Sequence, residues 1–284
     1  MSFFKRTLAR WYFTYFPLEK GKWTVWVKLR SGLNIPANTE VVRTKFGFQM
    51  KIDPKEHIDK FIYFWGVWEP NETWLMQQLL SPGDVYVDVD AHVGYHSLLG
   101  SALVGASGEV HAFEPVPPSL ELLNEHLQMN GVKNVRVYPN AVADKAGKVR
   151  IGKPGGTGSQ NNTLRVDPDS QDYWEVDAVT LDDVLPPDKP IKYLKVDVEG
   201  AEWLVMNGFK KHLEKQNPPY ILLEFNDEWL KSLGGSSERL YDLMISYGYK
   251  AHDCRNLRFT PIPREKLPKS GLIDILFANK ELND

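Results

Sequence analysis

The chain is short of cysteine, of long apolar runs, of basic surplus and of the glycine-rich signatures of phosphate binding. Its single cysteine, Cys254, leaves no internal disulfide and no thiolate metal site, which suits a reducing compartment. No uncharged apolar stretch approaches the ~18–20 residues of a membrane-spanning helix. The N-terminus also lacks the small-residue cleavage site of a secretory signal, so a cytoplasmic protein is the expectation. With 34 Lys and Arg against 37 Asp and Glu, the net charge is −3. That excludes the basic footprint of a nucleic-acid surface and favours a small-molecule substrate. There is no G-x-x-x-x-G-K-[ST], no G-x-G-x-x-G, no G-x-S-x-G and no Cys/His nucleophile arrangement.

What is there reads as one globular catalytic domain, residues 69–284, behind an N-terminal extension, residues 1–68. In the extension Phe4, Leu8, Trp11, Tyr12 and Tyr15 share one helical face, with Lys5, Arg6 and Arg10 beside them. Such a helix either packs on its own domain or a second subunit, or brings residues 3–16 to an anionic membrane surface. Lys22–Lys28 and Val41–Ile52 alternate as strands do, with Gly47 as a turn. Phe61–Trp68 is dense in aromatics, suited to core packing or to a wall facing a substrate.

The chain is organised around Val85–Pro115, which reads as strand, tight turn, helix, strand. In a doubly wound α/β sheet the ligand lies beyond the carboxyl ends of the strands. The first turn approaches it closely there, and an acid ending the second strand can bond ribose hydroxyls. Asp88, Gly94 and Glu114 occupy those places. Hydride transfer, phosphoryl transfer and methyl transfer could all use this geometry. With the dinucleotide and P-loop fingerprints missing, an adenosyl ligand without a pyrophosphate fits best. Farther on, Ile191–Val198 is a nearly continuous apolar run ending in Asp197 and Glu199, and Tyr220–Phe225 is a fifth strand with Glu224 near its end. Gly152–Asp172, rich in Gly, Ser, Asn and Asp, is a candidate lid.

VDVDAHVGYHSLLG, AFEP, NAVADKAG and LKVDVEGAEWLVMNG resemble successive motifs of the FkbM-type S-adenosylmethionine-dependent methyltransferases, over roughly Asp84–Phe225. The resemblance implies a class I Rossmann-like α/β fold: a mostly parallel seven-stranded sheet with helices on both faces, and the aromatic, β-rich extension closing over the acceptor. It implies S-adenosylmethionine as cofactor and O-methylation of a hydroxyl on a sugar or natural product. On this pattern Glu114, Asn140 and Ala141 meet the adenosine, and Asp88, Gly94 and Asp197 meet the methionine end. Glu199 or Glu224 takes the acceptor proton.

Asp90 departs from the pattern, which has glycine there. Its carboxylate either obstructs the methionine moiety or pairs with its ammonium group. Obstruction would leave a catalytically silent binding or scaffold protein. Asp88, Asp90 and His92 also spell D-x-D-x-H. On one strand face these residues could ligate a metal, as in a metal-dependent glycosyltransferase, but the downstream motifs favour the methyltransferase without a metal.

Overall fold

The computed structural model describes residues 2–15, 22–29, 38–152, 164 and 172–282. The candidate lid lies outside them except at Gly152, Leu164 and Asp172. The chain opens with helices α1 (Ser2–Tyr15) and α2 (Lys22–Leu29), a hairpin of β1 (Glu40–Arg43) and β2 (Gln49–Ile52), then α3 (His57–Trp65) and α4 (Pro70–Leu79). Next come β3 (Val85–Val89), α5 (Tyr95–Val104), β4 (Glu109–Phe113), α6 (Pro117–Met129) and β5 (Val135–Tyr138). Strands β6 (Ala141–Val142), β7 (Gly147–Gly152) and β8 (Tyr173–Val179) make a separate three-stranded sheet. The chain closes with α7 (Leu181–Val184), β9 (Tyr193–Val196), α8 (Glu202–Asn207), α9 (Lys210–Glu214), β10 (Tyr220–Phe225), α10 (Asp227–Ser232) and α11 (Ser237–Ser246). Three strands end it: β11 (Lys250–Asp253), β12 (Thr260–Pro261) and β13 (Ile273–Ala278).

The main sheet runs β12-β11-β13-β10-β9-β3-β4-β5. Strands β10, β9, β3, β4 and β5 are parallel, and β13 enters antiparallel between β10 and β11. These are the seven expected strands, with the two-residue β12 added at one edge. The central strands are buried on both faces because helices cover both, which is why they read as apolar runs. Alternation assigns each residue its side. Tyr86, Tyr193, Leu222 and Leu276 join the core beneath α3–α6, while Val87, Val89, Leu194, Val196 and Leu223 join the core beneath α8–α11. By the same parity Asp88, Lys195, Glu224 and Asp274 face the α4–α5 side. In the parallel register Asp88 is the Cα partner of Lys195, and Glu224 is the antiparallel partner of Asp274.

The extension shares the α4–α5 core. Phe13, Trp26, Met50, Ile62 and Phe64 belong to the same buried cluster as Leu75, Tyr86 and Leu98. Lys22–Lys28, expected as a strand, is the helix α2. Tertiary packing overrides its β-branched and aromatic composition: Lys22 and Trp26, one turn apart, both turn inward. The Lys22 ammonium donates to the Phe13 carbonyl at 3.0 Å, and Trp26 meets Phe13 edge-on at 5.5 Å between ring centroids. On α1, Ala9, Phe13 and Thr14 face the domain and the Thr14 hydroxyl donates to the Phe64 carbonyl at 2.9 Å. Of the apolar face drawn from the sequence, Phe4, Leu8, Trp11 and Tyr15 point outward.

The hairpin docks on α6 through Asn130, whose amide accepts from the Gln49 N–H and donates to the Gln49 carbonyl, both at 2.7 Å. Asn130→Ala leaves both backbone groups without this partner and is expected to cost about 1–3 kcal/mol, read as a lower urea midpoint at unchanged slope.

Candidate active site

The carboxyl ends of β3, β9 and β10, with the start of α4, surround a cavity of about 220 Å³. Its wall includes Glu69, Asp90, His92, His96, Lys195, Asp197, Glu199 and Glu224. Four of these, Glu69 (φ 43°), Asp90 (φ 74°), His92 (φ 50°) and Glu199 (φ 53°), hold the left-handed conformation that side chains with a Cβ disfavour. Such conformations cost of order 1–3 kcal/mol each and persist where the surroundings enforce them, often at functional sites. Gly94 (φ 87°) caps α5, and a Cβ there would lie 2.5 Å from the Leu123 side chain, so the turn admits only glycine.

Lys195, on the cavity wall, is 3% exposed. Its ammonium donates to Asp197 at 2.7 Å and lies 3.5 Å from Glu72. Burial alone would lower its pKa, but Asp197, Glu72, Glu69 and Asp88 together hold it well above the usual lysine range. Burial would raise Asp197, and Lys195 outweighs it, keeping that carboxylate below its ordinary pKa. The other acids go the opposite way. Burial, then the charge of Asp197, pushes Glu224 up to about 12, so it keeps its proton and hydrogen-bonds Asp197. Burial, reinforced by Glu114 and Asp197, raises Asp90 well above the carboxylate range, and burial followed by Glu72 does the same to Glu69. Burial lowers His92 to about 4 and His96 well below the usual histidine range, so both imidazoles are neutral at pH 7.

The residues expected from the sequence fall into two groups. Asp90, Asp197, Glu199 and Glu224 line the cavity. A smaller adjoining cavity is lined by Val89, Asp90, Phe113, Asn140, Ala141 and Val198, so Asp90 stands between the two. Asp88 is buried below the cavity, accepting from the Ser97 hydroxyl at 2.6 Å. Glu114 fixes the first turn: its oxygens accept from the backbone N–H groups of His92 at 2.8 Å and Val116 at 2.7 Å. The strand expected to carry Asp197 and Glu199 together ends at Val196, and the turned backbone at Glu199 brings that side chain in separately. The D-x-D-x-H face does not form, because the chain leaves β3 at Val89 and both Asp90 and His92 turn left-handed.

Sequence reasoning missed Glu69, Glu72 and Lys195. A lysine inside an apolar strand, two residues before Asp197, was the readable signal for the last. Among the described residues Glu69, Glu72 and His96 have ligand atoms within 4.8 Å of one another, yet Lys195 already supplies positive charge there. Beside the cavity, sharing His57, Trp68 and Glu69 with it, lies a groove of about 300 Å³ walled by Phe61, Trp65 and Val67.

The strand order, with a cavity at the carboxyl ends, is that of the class I Rossmann-like fold. The Methyltransferase FkbM domain matches residues 88–251, more than half of the sequence, and the chain belongs to that family. No curated protein is similar enough to count as a match. Among solved structures, the methyltransferase FkbM of Methylobacillus flagellatus KT is 15% identical, over 76% of this chain and 52% of its own, with a TM-score of 0.45. This chain thus spans about half its length. A SAM-dependent O-methyltransferase of Thermotoga maritima is 13% identical, over 86% and 79%, with a TM-score of 0.42.

S-adenosylmethionine is the family's cofactor, and the donor set suits it. A sulfonium and an ammonium carry positive charge toward a cavity rich in carboxyl groups, and one oxygen of Glu224, on the cavity wall, is buried without a hydrogen-bond partner.

Raised carboxylates bind more protons folded than unfolded, so they remove stability as pH climbs to their folded pKa. Glu114 and Glu72, near 7, and Glu202, near 8, therefore predict falling stability from pH 6.5 to 8. His92 and His111, lowered to about 4, act below that window. Urea midpoints across this range, without ligand, are expected to decline. Asp90→Gly removes a left-handed side chain and a buried carboxyl, and is expected to raise stability by about 1 kcal/mol in the same assay.

Proposed function

We propose that this methyltransferase O-methylates a hydroxyl of a small-molecule acceptor, a sugar or natural product with a flat apolar face. The observation that carries the reading is the clustering of four left-handed, non-glycine residues around one cavity that opens beside an aromatic groove. When bound, S-adenosylmethionine supplies a methyl group on a cationic sulfur. Asp90, between the two cavities, gives up its proton as the sulfonium arrives beside it and joins Asp197, kept ionised by Lys195, in balancing the positive charges, while Asn140, Ala141, Phe113 and Val198 surround the adenosine. Trp68, Phe61 and Trp65 hold the acceptor against the groove wall and exclude water, so that its oxygen is aligned with the methyl carbon.

Glu199 receives the acceptor proton. Glu224 is unsuited to that task near neutral pH because it already holds a proton; its role is to orient Asp197 by hydrogen bonding. The neutral imidazole of His92 faces the same cavity and is a second candidate to accept the proton.

A silent scaffold is the second reading, motivated by Asp90 where the family has glycine, and calorimetry separates the two. On the catalytic reading both S-adenosylmethionine and S-adenosylhomocysteine bind. Asp90→Asn then weakens S-adenosylmethionine about tenfold more than S-adenosylhomocysteine, because both carry the ammonium but only the former brings the sulfonium charge that a carboxylate answers and an amide does not. No binding to the native chain, with both ligands recovered in Asp90→Gly, would establish the scaffold instead. Glu199→Gln is expected to lower turnover by about 10²–10⁴-fold with S-adenosylhomocysteine affinity unchanged. The same loss in His92→Asn alone would move the base to His92.

A further inference from the structure

Helix α1 is apolar on two sides. Its inner side is spent on the domain: Phe13 lies 4.9 Å from the Trp65 ring, and Arg10 stands 4.3 Å over Tyr63 while donating to the Tyr63 carbonyl. The outer side needs a different explanation. Phe4 is 74% exposed, Leu8 55%, Trp11 53% and Tyr15 59%, and at 3.6 residues per turn these positions fall in a sector of about 60°. Neighbouring α2 adds exposed Val27, Lys28 and Leu29. Contiguous apolar surface of this kind marks an interaction site.

Charge decides the partner. Of the seven Lys and Arg in residues 1–39, Arg10 and Lys22 donate to the Tyr63 and Phe13 carbonyls and Arg6 lies 3.7 Å from Glu40, whereas Lys5 and Lys28 are exposed. The one acid in these residues is Glu19, in a chain whose net charge is −3. Exposed Lys5 follows Phe4 on α1, and α1 contains no acid. A second copy laid face to face would bring two positive segments together, whereas an anionic lipid surface answers both the charge and the Trp, Tyr and Phe content. No described helix is long and apolar enough to cross a membrane, and the inner side of α1 is already engaged, so the helix must lie flat. We infer that α1 is a docking helix for an anionic bilayer, with Phe4, Leu8, Trp11 and Tyr15 seated in the lipid interface.

The test is cosedimentation of the full chain with vesicles of phosphatidylcholine alone and of phosphatidylcholine mixed with phosphatidylglycerol. The native chain is expected to sediment with the mixed vesicles, less with the neutral ones, and to be released by added salt. The Phe4→Glu, Leu8→Glu double variant is expected to partition roughly a hundredfold less, with circular dichroism and S-adenosylhomocysteine titration unchanged. Lys5→Glu with Lys28→Glu should erase the preference for anionic vesicles. Failure of the native chain to sediment, or sedimentation of the double variant like the native chain, would overturn the inference. So would a native dimer that the double variant converts to a monomer, which would make this face a contact between copies.

Discussion

One buried ammonium organises the chemistry of this fold. Lys195 sits in a central parallel strand at 3% exposure, where an unpaired charge would be expelled or neutralised. Its partners come from different parts of the chain: Asp197 from its own strand end and Glu72 from the first turn of α4. The lysine thereby ties the segment that leaves the extension to the centre of the sheet. It also sorts the surrounding acids. Asp197, in direct contact, stays ionised, whereas Glu224, Glu69 and Asp90 hold protons. A cation entering a site so supplied with carboxyl groups would draw protons from them and meet the charge it needs.

Much of this was legible in the sequence, for reasons of period and position. Strands buried on both faces leave apolar runs, and acids at their ends mark the ligand side, so β3, β9 and β10 and the acids Asp197 and Glu224 could be read directly. Gly94 was legible as the turn that opens a helix, though the Leu123 side chain that would strike its Cβ was not. The illegible parts depend on contacts distant in sequence. Lys22–Leu29 alternates like a strand, and nothing local reveals that Trp26 will meet Phe13 and Trp65 as part of a helix. Glu69 and Glu72 looked like ordinary residues of a helix start until the fold set them beside Lys195. The left-handed turns at Asp90, His92 and Glu199 were also hidden, since local preference argues against each of them. Protonation states were hidden for the same reason: each is the sum of burial and several remote charges.

The aromatic groove has a second property. Its wall is α3, and α3 is shared. Phe61 and Trp65 line the groove, and the same rings pack on α1 and α2, Trp26 at 6.0 Å from Phe61 and 6.3 Å from Trp65, and Phe13 at 4.9 Å from Trp65. Close-packed rings transmit displacement rather than absorb it. A tilt of α1 by a fraction of a turn is therefore also a change in the width of the groove, and whatever holds α1 in place sets the aperture through which an acceptor must pass.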